Sequence, residues 1–261
     1  MAAPTFFGVA TNPADAGTLA EPQTGASLTP PGSMTTGDLV ILRLYNESGS
    51  ANDGLAINNT GGQTWTSDVT DGSYSFGGTA AGHRIYWCRF NGTWSANPTF
   101  DLPAKPGTRG GGAQLLVFRP DSSSKVWGVD TALSWVGFST PSSPFTVTIT
   151  GLTPTNADTV TLAGWCSDDD NTWGTLSGTG WSKTGLGAQY RNTGGSDLST
   201  TYAYNLKGAA SATNNVSQNQ ATLGGDAGST FIVCFYAYTP PAFNPGWAHS
   251  ATRSIFPGVM G

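Results

Sequence analysis

Charge is scarce in this chain. Of 261 residues only 10% are charged, with Glu21 and Glu47 the only glutamates and four lysines beside them. Long charged side chains for the solvated face of an amphipathic helix are almost absent. No segment carries sustained apolar periodicity at 3.6 residues, so a helical bundle is excluded. The eleven basic residues are scattered and the net charge is −5, which leaves no concentrated positive footprint for nucleic acid. The longest apolar run, Phe231 to Tyr238, has the length of a strand and falls well short of a membrane span. Met1-Ala2-Ala3-Pro4 has no basic segment leading into a hydrophobic stretch. The expectation is synthesis in a cytoplasm without the usual secretory leader.

Residues that usually carry chemistry are also few. Cys88, Cys166 and Cys234 sit in or at the end of apolar β-type runs with no C-x-x-C spacing, and read as buried free thiols. The only histidines are His83, at the start of a strand and read as a strand-edge residue, and His249, in a Pro-rich tail. No G-x-S-x-G elbow presents a serine, and two histidines with three strand cysteines have no zinc-site spacing. Glycoside hydrolysis needs two carboxylates flanking the scissile bond, and nothing pairs Glu21 or Glu47 with a second one. The expected protein is not an enzyme and has no obligatory cofactor.

What the chain does have is glycine, 36 residues of it, with abundant Thr, Ser and Asn and dense strand signals. Leu39 to Tyr45 is apolar except for Arg43, as suits a central strand covered on both faces or a partner-facing edge. Phe145-Thr146-Val147-Thr148-Ile149-Thr150 alternates strictly, and Tyr202 to Leu206 alternates large with small. Asn91-Gly92 closes a strand with a tight turn. The Gly-, Ser- and Asn-rich stretches 46–63 and 68–82 read as long exposed loops.

The pattern is also doubled. Gly8-Val9 recurs as Gly128-Val129, and Gly37-Asp38-Leu39-Val40-Ile41-Leu42 as Ala157-Asp158-Thr159-Val160-Thr161-Leu162, both 120 positions on. Gln63-Thr64-Trp65-Thr66 matches Thr179-Gly180-Trp181-Ser182, and Leu115 to Phe118 matches Phe231 to Cys234, both 116 positions on. Four matches in one order indicate a duplication, each copy offering about seven short strands. The expected architecture is all-β: two tandem antiparallel β-sandwich repeats of jelly-roll or Ig-like kind, residues 1–122 and 123–239. Residues 240–261 form an extended Pro-rich arm.

Candidate binding residues follow from the unrepeated parts. Asp168-Asp169-Asp170-Asn171 is first a solvated loop leaving a strand; as a metal site, Asp168, Asp169 and Asp170 would contribute oxygens to a calcium shell. Trp94, Trp135, Trp173 and Trp181 are candidates for stacking on sugar rings, with Trp94 and Trp173 the chosen platforms. The recurrence of Trp65 and Trp181 argues for core packing at those two. Phe243, Trp247, Ile255 and Phe256 give the arm an apolar content suited to docking on a neighbouring subunit. Arg43, Arg84, Arg89, Arg119 and Arg191 fall in or beside strands, most on a solvated face and the others at an interface.

The order P-x-G at Pro30 to Gly32, G-D-L-V-I-L at Gly37 to Leu42, G-x-T-W-T at Gly62 to Thr66, I-Y-W-x-R before N-G at Ile85 to Gly92, and L-L-V-F-R at Leu115 to Arg119 resembles a β-sandwich repeat of tailed-bacteriophage structural proteins. It is complete over residues 26–120 and loose over 125–238, where Thr159, Thr161 and Cys234 depart from it and Phe235 stands where Arg119 stood. The resemblance implies a virion component on head or tail, such as a capsid decoration, fibre, tail or neck protein. It also implies homo-oligomers, other virion proteins as partners, and no transferable catalytic residues. A carbohydrate-binding adhesin that contacts a host-surface glycan is the alternative.

Overall fold

In the computed structural model of this chain the all-β expectation holds: the described residues form eighteen strands and no helix. The structure describes residues 2–19, 22–47, 55–67, 72–76, 79–102, 110–139, 145–184, 189–193, 197–220 and 227–241. The first nine strands are β1 (Thr5–Asn12), β2 (Gln23–Ser27), β3 (Leu39–Glu47), β4 (Ala56–Asn59), β5 (Thr66–Ser67), β6 (Gly72–Phe76), β7 (Thr79–Arg89), β8 (Thr99–Leu102) and β9 (Gly111–Arg119). The second nine are β10 (Val126–Ser139), β11 (Phe145–Ile149), β12 (Thr159–Ser167), β13 (Trp173–Ser177), β14 (Trp181–Ser182), β15 (Gln189–Asn192), β16 (Leu198–Lys207), β17 (Val216–Gln220) and β18 (Ala227–Tyr238). Strands β4 and β6 and the start of β7 lie inside stretches whose composition reads as loop. Antiparallel pairing partners, rather than local propensity, place them.

The strand order repeats without exception. The first half has a sheet β1-β9-β3-β7 with β5 and β6 along the far side of β7, and a separate sheet β2-β8-β4. The second has β10-β18-β12-β16 with β14 and β15 along β16, and a separate sheet β11-β17-β13. Every strand therefore has its counterpart nine places later, in the same pairing.

Register refines the equivalence. Leu39 pairs with Phe118 and Arg89, and Val160 pairs with Phe235 and Leu206; both Leu39 and Val160 point into the central core. The structural shift is thus 121 for Leu39 to Val160 and 117 for Phe118 to Phe235, one more than the letter match in each case. A left-handed residue before each strand marks the same frame. Gly37 has φ of 99° in the first half, and Asp158 fills that place with φ of 54° in the second. Aspartate is among the few residues that tolerate this region. A slip of one residue sends every side chain to the opposite face. Thr159 and Thr161, matched by letters to Leu39 and Ile41, consequently face away from the central core, where Thr161 Oγ1 donates to Cys234 Sγ at 3.4 Å.

Period-two alternation along these strands builds three large cores, beside a small cluster of Tyr45, Cys166 and Leu198. Leu39, Ile41, Leu116 and Phe118 of the first half meet Val160, Leu162, Phe231, Val233 and Phe235 of the second, so the two six-stranded sheets face each other. The alternate residues Val40, Leu42, Leu115 and Val117 face β2-β8-β4, where Phe100 and Leu102 cover them. Trp165, Ala203 and Ile232 face β11-β17-β13, and Trp165 Nε1 donates to Val147 O at 3.2 Å. The central contact is two-fold in kind. Trp87 of β7 meets Phe235 of β18 edge-on at 5.5 Å, and their counterparts Tyr204 of β16 and Phe118 of β9 meet edge-on at 5.6 Å. A contact in which i meets j′ and j meets i′ is the signature of an isologous dimer, here within one chain.

Candidate functional site

At the centre of this contact the two halves differ. Arg43 lies between Gln114 and Ile85 in its sheet, and its counterpart Gly164 lies between Phe231 and Tyr202. Arg43 is fully buried. Its Nε donates to His83 Nδ1 at 3.2 Å, Nη1 to Gln114 Oε1 at 3.1 Å and to Thr201 O at 3.0 Å, and Nη2 to Trp165 O at 2.8 Å. The guanidinium also lies 5.0 Å from the Phe231 ring centroid and 5.6 Å from that of Tyr45. These partners are neutral. Burial pulls the guanidinium down to about 10, which leaves it protonated at neutral pH. Two of the carbonyls it holds belong to the opposite half, so this cation ties the two sheets together.

Other arginines extend the tie. Arg89 donates to Lys125 O at 2.9 Å and Ser123 O at 2.7 Å in the segment joining the halves, and Arg191 Nε meets Asp15 Oδ1 at 3.1 Å across them. Asn192 Nδ2 donates to Gly111 O at 2.8 Å, and Trp127 Nε1 to Gly37 O at 2.8 Å. Arg43, Arg89 and Arg191 are thus interface residues within the chain. Arg119 closes an ion pair with Asp38 at 3.0 Å and lies 4.1 Å from the Phe7 ring centroid. Arg84 donates to Leu55 O at 2.9 Å.

His83 is not the solvated edge residue its strand position suggests. It is fully buried, because β6 covers the far side of β7 and the Trp135 ring of the second half lies tilted against it at 5.2 Å. Arg43 uses Nδ1 as an acceptor, so the ring is neutral with its proton on Nε2. Protonating Nδ1 would remove that acceptor and set a second cation against the first. Burial, and then the Arg43 charge, hold His83 well below its ordinary value. The unfolded chain therefore takes up a proton that the native state refuses as pH falls below about 6.5. The contribution is full above that pH and is lost below it, at about 1.4 kcal/mol per pH unit. Urea unfolding between pH 7.5 and 5 should show this extra slope in the native sequence and not in His83→Gln; equal slopes would contradict the assignment.

The three thiols are free and buried. Burial raises all three, Cys166 and Cys234 to about 12, so they remain un-ionised at neutral pH.

The expected binding residues separate. Asp169 and Asp170 come together with Asp197, their ligand oxygens within 4.8 Å of one another. Asp168 does not join them: its Oδ1 accepts from the Ala227 amide at 2.8 Å and its own amide donates to Ala227 O at 3.0 Å, fastening the loop to β18. With one oxygen from each, the three carboxylates supply three of the six to eight or so oxygens calcium takes.

The tryptophans are committed to packing. Trp173 is 3% exposed and edge-on to Phe138, so it offers no platform to a sugar. Trp181 is buried with Nε1 donating to Asn214 O at 2.8 Å. Trp94 is half-buried against Phe90 at 5.2 Å and Trp65 at 6.4 Å, with Gly61 beneath its ring. Trp135 is half-buried against His83 and Phe231. Phe243, Trp247, Ile255 and Phe256, with His249, lie outside the described residues.

Among the described residues two concavities stand out. One is an apolar groove of about 300 Å³ between the edge strands β10 and β11, lined by Val136, Ile149, Leu152, Phe231 and Ile232; Val136 is 61% exposed there. The other is a cleft of about 330 Å³ at the end of β18, lined by Lys125, Asn156, Asp158, Tyr236, Tyr238 and Thr239. Sequence reading missed both tyrosines. Their signal is period two: with Phe235 and Ala237 facing the core, Tyr236 and Tyr238 share the opposite face. No family model matches the chain, and neither a curated protein nor a solved structure matches it.

Proposed function

We propose that the chain is a non-enzymatic structural component of a tailed-phage virion, a head decoration, fibre, tail or neck protein that joins its neighbours through its sheets and C-terminal arm. The observation that carries the reading is the apolar groove between β10 and β11 with Val136 exposed on its rim. The two-fold contact already consumes the inner apolar faces of both large sheets, and this groove is an apolar surface left outside it. The occupant we assign is the arm of a second copy, with Phe243, Trp247, Ile255 and Phe256 as anchors. An extended segment with spaced apolar side chains adds buried area without a core of its own. The resemblance of residues 26–120 to phage structural repeats supplies the setting.

Mass spectrometry and immunogold labelling of purified particles test this, with the chain carrying or lacking residues 240–261. The expected result is regular label on head or tail for the full chain and loss of label for the truncated one. Particles free of the full chain would contradict the virion reading; unchanged incorporation of the truncated chain would contradict the docking arm.

A further inference from the structure

We infer that the cleft at the end of β18 binds a neutral saccharide. The two halves supply an internal comparison. In register, Arg119 of the first half corresponds to Tyr236 of the second, and Asp38 to Thr159. In the first half this place is closed: Arg119 Nε and Nη2 both reach the Asp38 carboxylate at 3.0 Å, and the guanidinium lies over Phe7. In the second half no arginine among the described residues fills it, and the cleft stands open.

What lines the opening is chemically specific. Tyr236 and Tyr238 stack at 5.2 Å with an interplanar angle of 24°, and Tyr238 is 39% exposed. Gly128 makes the arrangement feasible, since a Cβ there would stand 2.7 Å from the Tyr236 ring. Beside the rings, Asp158 is 2% exposed; its Oδ2 accepts from Lys125 Nζ, and its Oδ1 is buried with no partner. Lys125 also meets Asp121 at 2.6 Å. Burial pulls the Lys125 ammonium down, but its bonds to Asp121 and Asp158 outweigh this and hold it above its ordinary value.

The charges select the class. Lys125 is paired with both Asp121 and Asp158, so the ionic groups beside the rings are spent on one another. A neutral polyol suits this lining: its hydroxyls pair with the accessible polar side chains of Asn156 and Thr239, and the C–H face of the sugar ring lies on the Tyr238 ring. The volume is within the range of small-molecule sites, about 300–1,000 Å³. This inference stands apart from the virion reading, because the cleft is a different surface from the β10–β11 groove.

The test uses the full chain with the methyl glycosides of glucose, galactose, mannose and N-acetylglucosamine at millimolar concentration, followed by saturation-transfer NMR, and a glycan array for longer sugars. At least one glycoside or array glycan should bind, and Tyr238→Ala should weaken that binding by about tenfold or more. Tyr238 is exposed at a strand end, so the variant keeps the fold, and an unchanged amide spectrum verifies this. Tyr238→Trp should bind as well as the native chain, and Trp94→Ala should leave binding unchanged. Failure of every glycoside and array glycan to bind would overturn the inference, as would binding that survives Tyr238→Ala or is lost in Trp94→Ala.

Discussion

Arg43→Ala should lower the unfolding free energy by roughly 4 kcal/mol, the sum of a large cavity and orphaned buried acceptors. The side chain is among the largest fully buried ones and touches both halves. Removing it leaves His83 Nδ1 and Gln114 Oε1 without their donor and uncovers the Phe231 ring. Arg43→Lys keeps the charge but offers three donors from a single point instead of a planar fork aimed at four acceptors, so it should recover less than half of the loss. Arg43→Met should cost less than either, because it fills the space and removes the desolvation cost of a cation whose partners are all neutral. Urea unfolding of the three variants gives the ranking. An alanine cost below about 1 kcal/mol would mean that the guanidinium does not hold the halves together.

The second large effect lies at the counterpart position. Gly164→Ala would place a Cβ 2.1 Å from Phe231 Cε1. That ring cannot swing aside freely: Trp135 stands at 5.3 Å, His83 at 6.0 Å, and the Arg43 guanidinium at 5.0 Å. Overpacking of this kind costs roughly 3 kcal/mol. Trimming the ring relieves the clash, so in Gly164→Ala/Phe231→Leu the two costs should fall short of additivity by more than about 1 kcal/mol. Additive costs would place the strain elsewhere in the sheet. Arg43 and Gly164 are therefore one design seen from two sides. At the same rung of equivalent ladders, one half sends a long cation across the contact and the other gives up its side chain to receive an aromatic ring against it.

Much of this fold is legible in the residues. Strict alternation at Phe145 to Thr150 reads directly as β11, and the apolar run from Leu39 reads as a central strand or a partner-facing edge, of which the structure shows the first. The duplication is legible too, but its frame is not. Letter identity aligns Asp38 with Asp158, whereas backbone conformation aligns Gly37 with Asp158, and only φ reveals that an aspartate has taken the left-handed place of a glycine. That single residue of offset decides which face of β12 carries the contact.

The candidate site was harder to read. Asp197 lies far along the chain from Asp169 and Asp170, and only the folded loops bring them together. Trp173 reads as a platform because tryptophan content says nothing of depth. Tyr236 and Tyr238 read as a continuation of an apolar strand, because their face is set by pairing and not by composition. The burial of Arg43 and His83 is likewise invisible in sequence, since both sit on the one strand face that the second half covers.

The central claim is that two equivalent halves share one core and behave as a single unit. Native-state hydrogen exchange on Gly164→Ala tests it most directly, because the substitution lies wholly in the second half. Slowly exchanging amides of β3 and β9 in the first half should lose the same protection free energy as those of β12 and β18, all exchanging through one global opening. Loss confined to β12 and β18, with β3 and β9 unchanged, would contradict the shared core and leave two halves that fold independently.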